Sequence, residues 1–434
     1  MCISKRKINS FEMKCWSSAI LIAVVVATDM ARAAEYSLES GLKVSARHND
    51  NIKLTADEKT SLQGRVVEPR LRAKVAGEAW DTSLDVDLKF NNFNNERYDS
   101  DDQFVIWVVN KKTERHVLSL NTDITRDSTR TSELDTSGIV TNFAVRREQY
   151  SVSPAWRYNV NDRNYVTLFG NISRTEYRDD RFSDYDYNST GVTWTNIVEE
   201  NIQLTLRLTG TLYEPDERAI NYLGEFELGS TAESTSYSGQ IEGVYSFAEN
   251  WFINSLIGST YTDQTYSVRD PQDACNNSIL ESLDLIPGIC ALDDFSSSEL
   301  MADISFSWST ERSEANVGYS ISNQPSSQGY EVEHERYTAF VKYNTSKNSY
   351  VYLRINYGTN TAVDTSVSSI DVQNSNRDLG GASVVYDYRF AESWKINAGY
   401  RYRWQERETD VDDAESNTIL ITINYQPTKS TWSR

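Results

Sequence analysis

Histidine, cysteine and proline are scarce in this chain, and each scarcity removes a class of function. The three histidines, His48, His116 and His334, are spread along 434 residues. No Gly-x-Ser-x-Gly elbow and no His-Glu-x-x-His stretch occurs, so the chain carries no local hydrolase or zinc-protease signature. We expect no enzyme, no cofactor and no metal site. With 7 prolines, the chain lacks the Pro/Gly-rich turns of a large soluble β-sandwich. Beyond the first 33 residues no stretch is apolar enough for a membrane helix, and mean hydropathy is −0.57. A net charge of −20 argues against a nucleic-acid partner, because phosphate binding needs a basic surface.

Residues 1–33 read as a secretion signal. Lys5, Arg6, Lys7 and Lys14 precede the apolar run Ala19–Ala27, and Ala31-Arg32-Ala33 carries small residues where a signal peptidase reads them. Cleavage after Ala33 leaves 34–434 as one domain. Cys2 and Cys15 depart with the leader. Cys275 and Cys290 remain, with fourteen residues between them, and an exported chain favours a loop disulfide between them over two free thiols.

What the chain has in quantity is tyrosine and strict alternation. There are 26 Tyr and 10 Trp. In Ala391–Tyr425, Trp394, Ile396, Ala398, Tyr400, Tyr402 and Trp404 share one face of a strand. Lys395, Asn397, Arg401 and Arg403 share the other. Ile419, Ile421, Ile423 and Tyr425 align on the next strand. A period of two is the strand signal. Aromatics at both ends of the apolar face, with large charges opposite, mark lipid outside and water inside.

The same hairpin repeats down the chain. Short turns echo one another: Asn161-Asp-Arg-Asn, Ala248-Glu-Asn-Trp, Ser346-Lys-Asn-Ser, Ala391-Glu-Ser-Trp. They alternate with longer polar loops at about 127–143, 214–234, 268–296, 323–335 and 360–377. The pattern gives an all-β fold: a transmembrane, antiparallel, up-and-down barrel of about eighteen strands. Short periplasmic turns and long extracellular loops place it in the outer membrane of a Gram-negative bacterium. Pro69 and Pro154 fall inside strand patterns, where bulges or strand ends are expected. Barrel chains usually finish on an aromatic residue. Here Tyr425 or Trp432 must serve.

The phrases SFAENWFINSLIGSTY and RFAESWKINAGYRYRW, and the first strand running into Arg47-His-Asn-Asp-Asn-Ile52, resemble the outer-membrane β-barrel porins associated with exopolysaccharide biosynthesis and export loci. The resemblance covers essentially the whole mature chain. It implies a pore or scaffold for polysaccharide secretion and brings no catalytic residues. Its implied partners are outer-membrane lipids, a polysaccharide or other hydrophilic solute, and periplasmic export-machinery proteins. A general or solute-specific diffusion porin, or a structural or adhesive barrel, are the alternatives.

Eighteen strands enclose an aqueous channel, whereas small barrels fill with side chains. Alternation turns Glu68, Arg70, Arg72, Lys74, Asp85, Asp87, Arg147, Arg157, Arg207, Arg354, Arg401 and Arg403 inward. This mixed-sign lining is the candidate permeation path, since opposed charges set selectivity. The opposing reading of each charge is a lumen ion pair that only braces the wall. Tyr352 and Phe169 are candidate stacking faces for sugar rings. The pairs Asp179-Asp180 and Asp412-Asp413 lack calcium-ligand spacing and read as solvated loop charge.

Overall fold

The computed structural model describes residues 34–56, 59–129, 145–179, 182–216, 218–222, 226–268, 295–325, 331–362, 376–407 and 413–433. The leader, Cys275 and Cys290, Asp180 and Asp412 lie outside these residues.

Alternating stretches become strands because each can place apolar side chains on one face and pair its backbone on both edges. In chain order they are β1 (Glu35–Asn49), β2 (Leu62–Ala76), β3 (Trp80–Phe93), β4 (Ser100–Lys112), β5 (His116–Ser128), β6 (Arg146–Asn159), β7 (Asn164–Tyr177), β8 (Tyr185–Glu199), β9 (Ile202–Pro215) and β10 (Arg218–Tyr222). Then follow β11 (Phe226–Ala248), β12 (Trp251–Val268), β13 (Phe295–Ser309), β14 (Ser313–Pro325), β15 (Glu331–Ser346), β16 (Ser349–Ala362), β17 (Arg377–Ala391), β18 (Trp394–Arg407), β19 (Ala414–Tyr425) and β20 (Ser430–Ser433). A 3₁₀ turn, Glu96–Tyr98, lies between β3 and β4.

The long strands pair antiparallel in chain order, β9 with β11, and β1 also pairs with β19 (Leu42↔Tyr425 to Asn49↔Thr418), which closes the wall. Two short strands add no new place in it. β20 pairs with the start of β1, Glu35↔Ser433 to Leu38↔Ser430, and so continues the line of β19. β10 pairs only with the start of β11, beyond the point where β9 leaves it. The wall is therefore a closed, eighteen-stranded, up-and-down barrel. The stretches near 214–234 and 323–335, read as loops, are largely strand. Alternation marks only the part of a strand that crosses lipid. Above the bilayer a ladder can continue with water on both faces.

The exterior carries the apolar side chains. Ile172 is 65% exposed and Ile241 61% exposed, and Leu208, Leu353 and Ile421 are likewise uncovered by protein. Burying one such side chain in lipid is worth about 1.5–3 kcal/mol. Aromatic rings gather at the turn end: Trp251 lies 5.0 Å from Phe306 and 5.6 Å from Trp308, and Trp394 lies 4.7 Å from Tyr425. A second group sits toward the loop end, where Tyr319, Tyr337, Tyr357 and Trp404 follow one another at 4.9, 6.0 and 6.0 Å. These are two interfacial girdles on either side of an apolar band. Trp432 stacks on Tyr36 at 5.8 Å, so both Tyr425 and Trp432 join the turn-end girdle. A closed barrel with lipid-seeking side chains outside is an outer-membrane protein.

The echoing turns have a structural cause. Register slips by one residue at Ile197/Glu199, Ser246/Ala248, Asn344/Ser346 and Arg389/Ala391, each beside a tight turn. Ala248-Glu-Asn-Trp, Ser346-Lys-Asn-Ser and Ala391-Glu-Ser-Trp thus each follow a bulge that tightens the local twist. The prolines behave differently. Pro69 and Pro154 are paired on one side, to Leu42 and Leu120. On the other side the ladder skips two residues and resumes in the same register. Neither proline makes a bulge or a strand end. The missing N–H costs a ladder bond without displacing the chain. At Pro154 the Ser153 hydroxyl donates to Asn171 Oδ1 at 2.9 Å across the gap.

Candidate functional site: the barrel lumen

Pairing transmits facing from strand to strand, because residues opposite each other share a side. Ser45 and Thr422 are buried inside, with their hydroxyls 2.8 Å apart. From that pair the inward set follows around the wall. It contains Glu68, Arg70, Arg72 and Lys74 on β2, and Asp85 and Asp87 on β3. It also contains Arg147 and Arg157 on β6, Arg207 on β9, Arg354 on β16, and Arg401 and Arg403 on β18. Phe169 and Tyr352 face inward as well.

Four of these arginines meet carboxylates across neighbouring strands. Arg70 Nε lies 3.1 Å from Asp87, and Arg72 Nε lies 2.5 Å from Asp85. Arg147 grips Asp127 with two bonds, at 3.0 and 3.1 Å, and both residues are buried. Arg207 lies 3.6 Å from Glu242. Glu68 pairs with Lys43 at 3.4 Å. Two other arginines rest on rings: Arg157 over Tyr165 at 4.9 Å and Arg354 over Tyr352 at 5.5 Å.

The lumen is divided by charge. On β15–β18 the inward face carries Arg336, Lys342, Arg354, Arg377, Arg401, Arg403 and Arg407. On β3–β5 it carries Asp85, Asp87, Asp102, Asp123 and Asp127. The arc from β7 to β12 is hydroxyl-rich. Thr195 and Thr205 lie 3.0 Å apart, Ser236 and Thr262 lie 2.9 Å apart, and the Ser173 hydroxyl donates to the Tyr187 carbonyl at 2.8 Å. Sequence reading missed Arg336, Lys342, Arg377, Arg407, Asp102, Asp123 and Asp127. Lumen parity continued along the same strands would have found Arg407. Arg377 and Asp127 fall where the sequence reads as loop.

Water reaches the turn-side half of the lumen. The Lys43 and Arg70 side chains there are 47% and 48% exposed. Toward the loop end, chain folds over the interior. After β1 the segment 50–56 turns inward, and lumen-facing Gln405 donates to the Leu54 carbonyl at 2.6 Å. Asn51, 1% exposed, donates to the carbonyls of Thr55 and Glu415, both at 2.8 Å. Asp50 accepts from the Asn417 backbone and side chain, both at 2.7 Å. Burial acts to raise the Asp50 pKa, but the bonds from Asn417 prevail and hold it below the ordinary 3.8. Ile52 packs with Leu62, Phe93 and Tyr98, and a second cluster joins Val145, Tyr177, Phe182, Tyr185 and Tyr213.

The histidines are not grouped. His48 lies on the outward face of β1. His116 stacks against Trp156 outside the barrel, at 5.9 Å. His334 is buried on the lumen face of β15, with Nδ1 2.6 Å from Asn360.

No protein-family model matches the chain, and no curated protein matches it. Solved structures similar to it include OccAB4 of Acinetobacter baumannii, at 10% identity and a TM-score of 0.47 over 92% of this chain and 99% of that one. The copper transporter OprC is similar at 10% identity and 0.48, over 91% of this chain and 66% of that one. The outer membrane protein OpdK of Pseudomonas aeruginosa is similar at 8% and 0.44, over 91% and 99%. These likenesses are too distant to carry a function.

Proposed function

We propose that the chain is an outer-membrane pore through which an exopolysaccharide leaves the cell. The observation that carries this is the lumen itself: a wide, polar bore, wet at the periplasmic end, with a hydroxyl-rich arc from β7 to β12. Hydroxyl rows exchange hydrogen bonds with sugars at little cost. The inward rings of Tyr165 and Phe169 offer stacking faces beside them, and Tyr352 offers one on the wall opposite. Periplasmic export proteins would meet the pore at the short-turn rim, which is where a polymer must enter.

The test uses mature protein refolded into planar bilayers. The expected result is discrete conductance, reduced step by step when oligosaccharides enter from the turn side. Conductance that no oligosaccharide alters would favour simple solute diffusion. A barrel without conductance would defeat both pore readings and leave the structural or adhesive one.

A further inference from the structure

Arg354 and Arg401 differ from four other arginines of the lumen. Arg70, Arg72, Arg147 and Arg207 each face a carboxylate at 2.5–3.6 Å. Arg354 and Arg401 make no ion pair among the described residues. They occupy one row of the wall, because Arg354 pairs with Ser383 and Ser383 with Arg401. Two strand spacings separate their backbones by about 9.5 Å. Both side chains are long and the serine between them is short, so the two guanidiniums can converge over it. Gly381, two residues on, keeps the floor low. A Cβ there would come within 3.2 Å of Asn356 Oδ1 and 3.6 Å of Arg403 Cγ. Tyr352 backs Arg354 with its ring.

The described residues around them do not supply the missing negative charge. Across β15–β18, Asp387 is the one inward carboxylate among the described residues, and it lies toward the turn end of β17. Adjacent like charges on a wall repel one another unless an anion sits between them. Guanidinium forks match a carboxylate in shape as well as charge. Half-way round the barrel lie β6–β8, with Tyr165, Phe169 and the hydroxyls of Ser173 and Thr193 inward.

We propose that Arg354 and Arg401 form an anion-binding step on the lumen wall, and that the polymer carried is an acidic glycan bearing carboxylates. The inference rests on the pore reading above and adds the class of glycan.

The test compares block of single-channel current by a galacturonate hexamer and by neutral maltohexaose. The expected result is block by the acidic hexamer at about tenfold lower concentration, as charge-assisted hydrogen bonds predict. Arg354→Gln/Arg401→Gln should erase that difference, and Arg354→Lys/Arg401→Lys should retain part of it. Equal block by both hexamers, or a difference that survives the glutamine pair, overturns the inference. Inorganic phosphate blocking as well as the acidic hexamer overturns the glycan assignment. If the bilayer stays silent the pore reading fails alone. Calorimetric titration of the detergent-solubilised barrel with the same two hexamers then decides the anion site. Loss of the barrel in the glutamine variant shows on a heat-modifiability gel, and the lysine variant then carries the comparison.

Discussion

The Arg147–Asp127 pair offers the sharpest test of how charge is held inside this wall. The two residues are 5% and 3% exposed and joined by two hydrogen bonds. Asp127→Asn keeps the shape but removes the charge that compensates Arg147. Breaking a buried pair in this way costs about 3–5 kcal/mol, because the buried Arg147 loses two charge-assisted bonds. Asp85→Asn is the natural control. Its partner Arg72 is 43% exposed at the side chain, so water screens the loss and the cost is at most about 1 kcal/mol. Both variants would be refolded into lipid vesicles and unfolded in urea, with tryptophan fluorescence as the signal. A double variant, Arg147→Met/Asp127→Leu, should recover most of the loss, since it removes both ions. Equal midpoints for Asp127→Asn and Asp85→Asn would refute the reasoning, and would mean that water reaches the Arg147 guanidinium at the loop end.

Three further outcomes are expected. Ile172→Lys places a cation on the lipid side and should cost about 2–4 kcal/mol in the same urea assay if the residue lies near mid-bilayer; a neutral effect would mean that this face is not against lipid. Gly258→Val should fail to give a heat-modifiable barrel. A Cβ at Gly258 would lie 2.3 Å from the Gly239 carbonyl and 2.8 Å from Gln240 Cα, and backbone cannot move aside as a flexible side chain can. Recovery of wild-type yield would contradict that. Asp50 makes segment 50–56 sensitive to acid. Its folded pKa is depressed, so its contribution is complete above 3.8 and is lost as pH falls through the lower folded value. Proteolytic cutting within 50–56 should therefore rise only below about pH 4, and Asp50→Asn should abolish the dependence. Cutting that rises near neutral pH would implicate another group.

Alternation repeated along the chain, as from Trp394 to Trp404 and from Ile419 to Tyr425, was enough to give the fold class and a count of about eighteen strands. A side chain's side of a strand depends only on its parity, and parity is local. The echoing turns were legible for the same reason, although their meaning as bulges was not. Strand ends beyond the bilayer were hidden, because a ladder with water on both faces has no reason to alternate. The inward course of segment 50–56 was hidden too. It rests on Gln405 and Glu415, some 350 residues away in sequence.

By itself, then, the order of residues determined that this chain encloses water and shows grease to lipid. It could not tell a bracing arginine from one open to a ligand. Arg72 and Arg401 look alike along their own strands. Only strand register sets Asp85 beside the first and Ser383 beside the second. The neighbour across a sheet comes from another strand, and the charge on that neighbour decides whether a guanidinium holds the wall together or can take an anion.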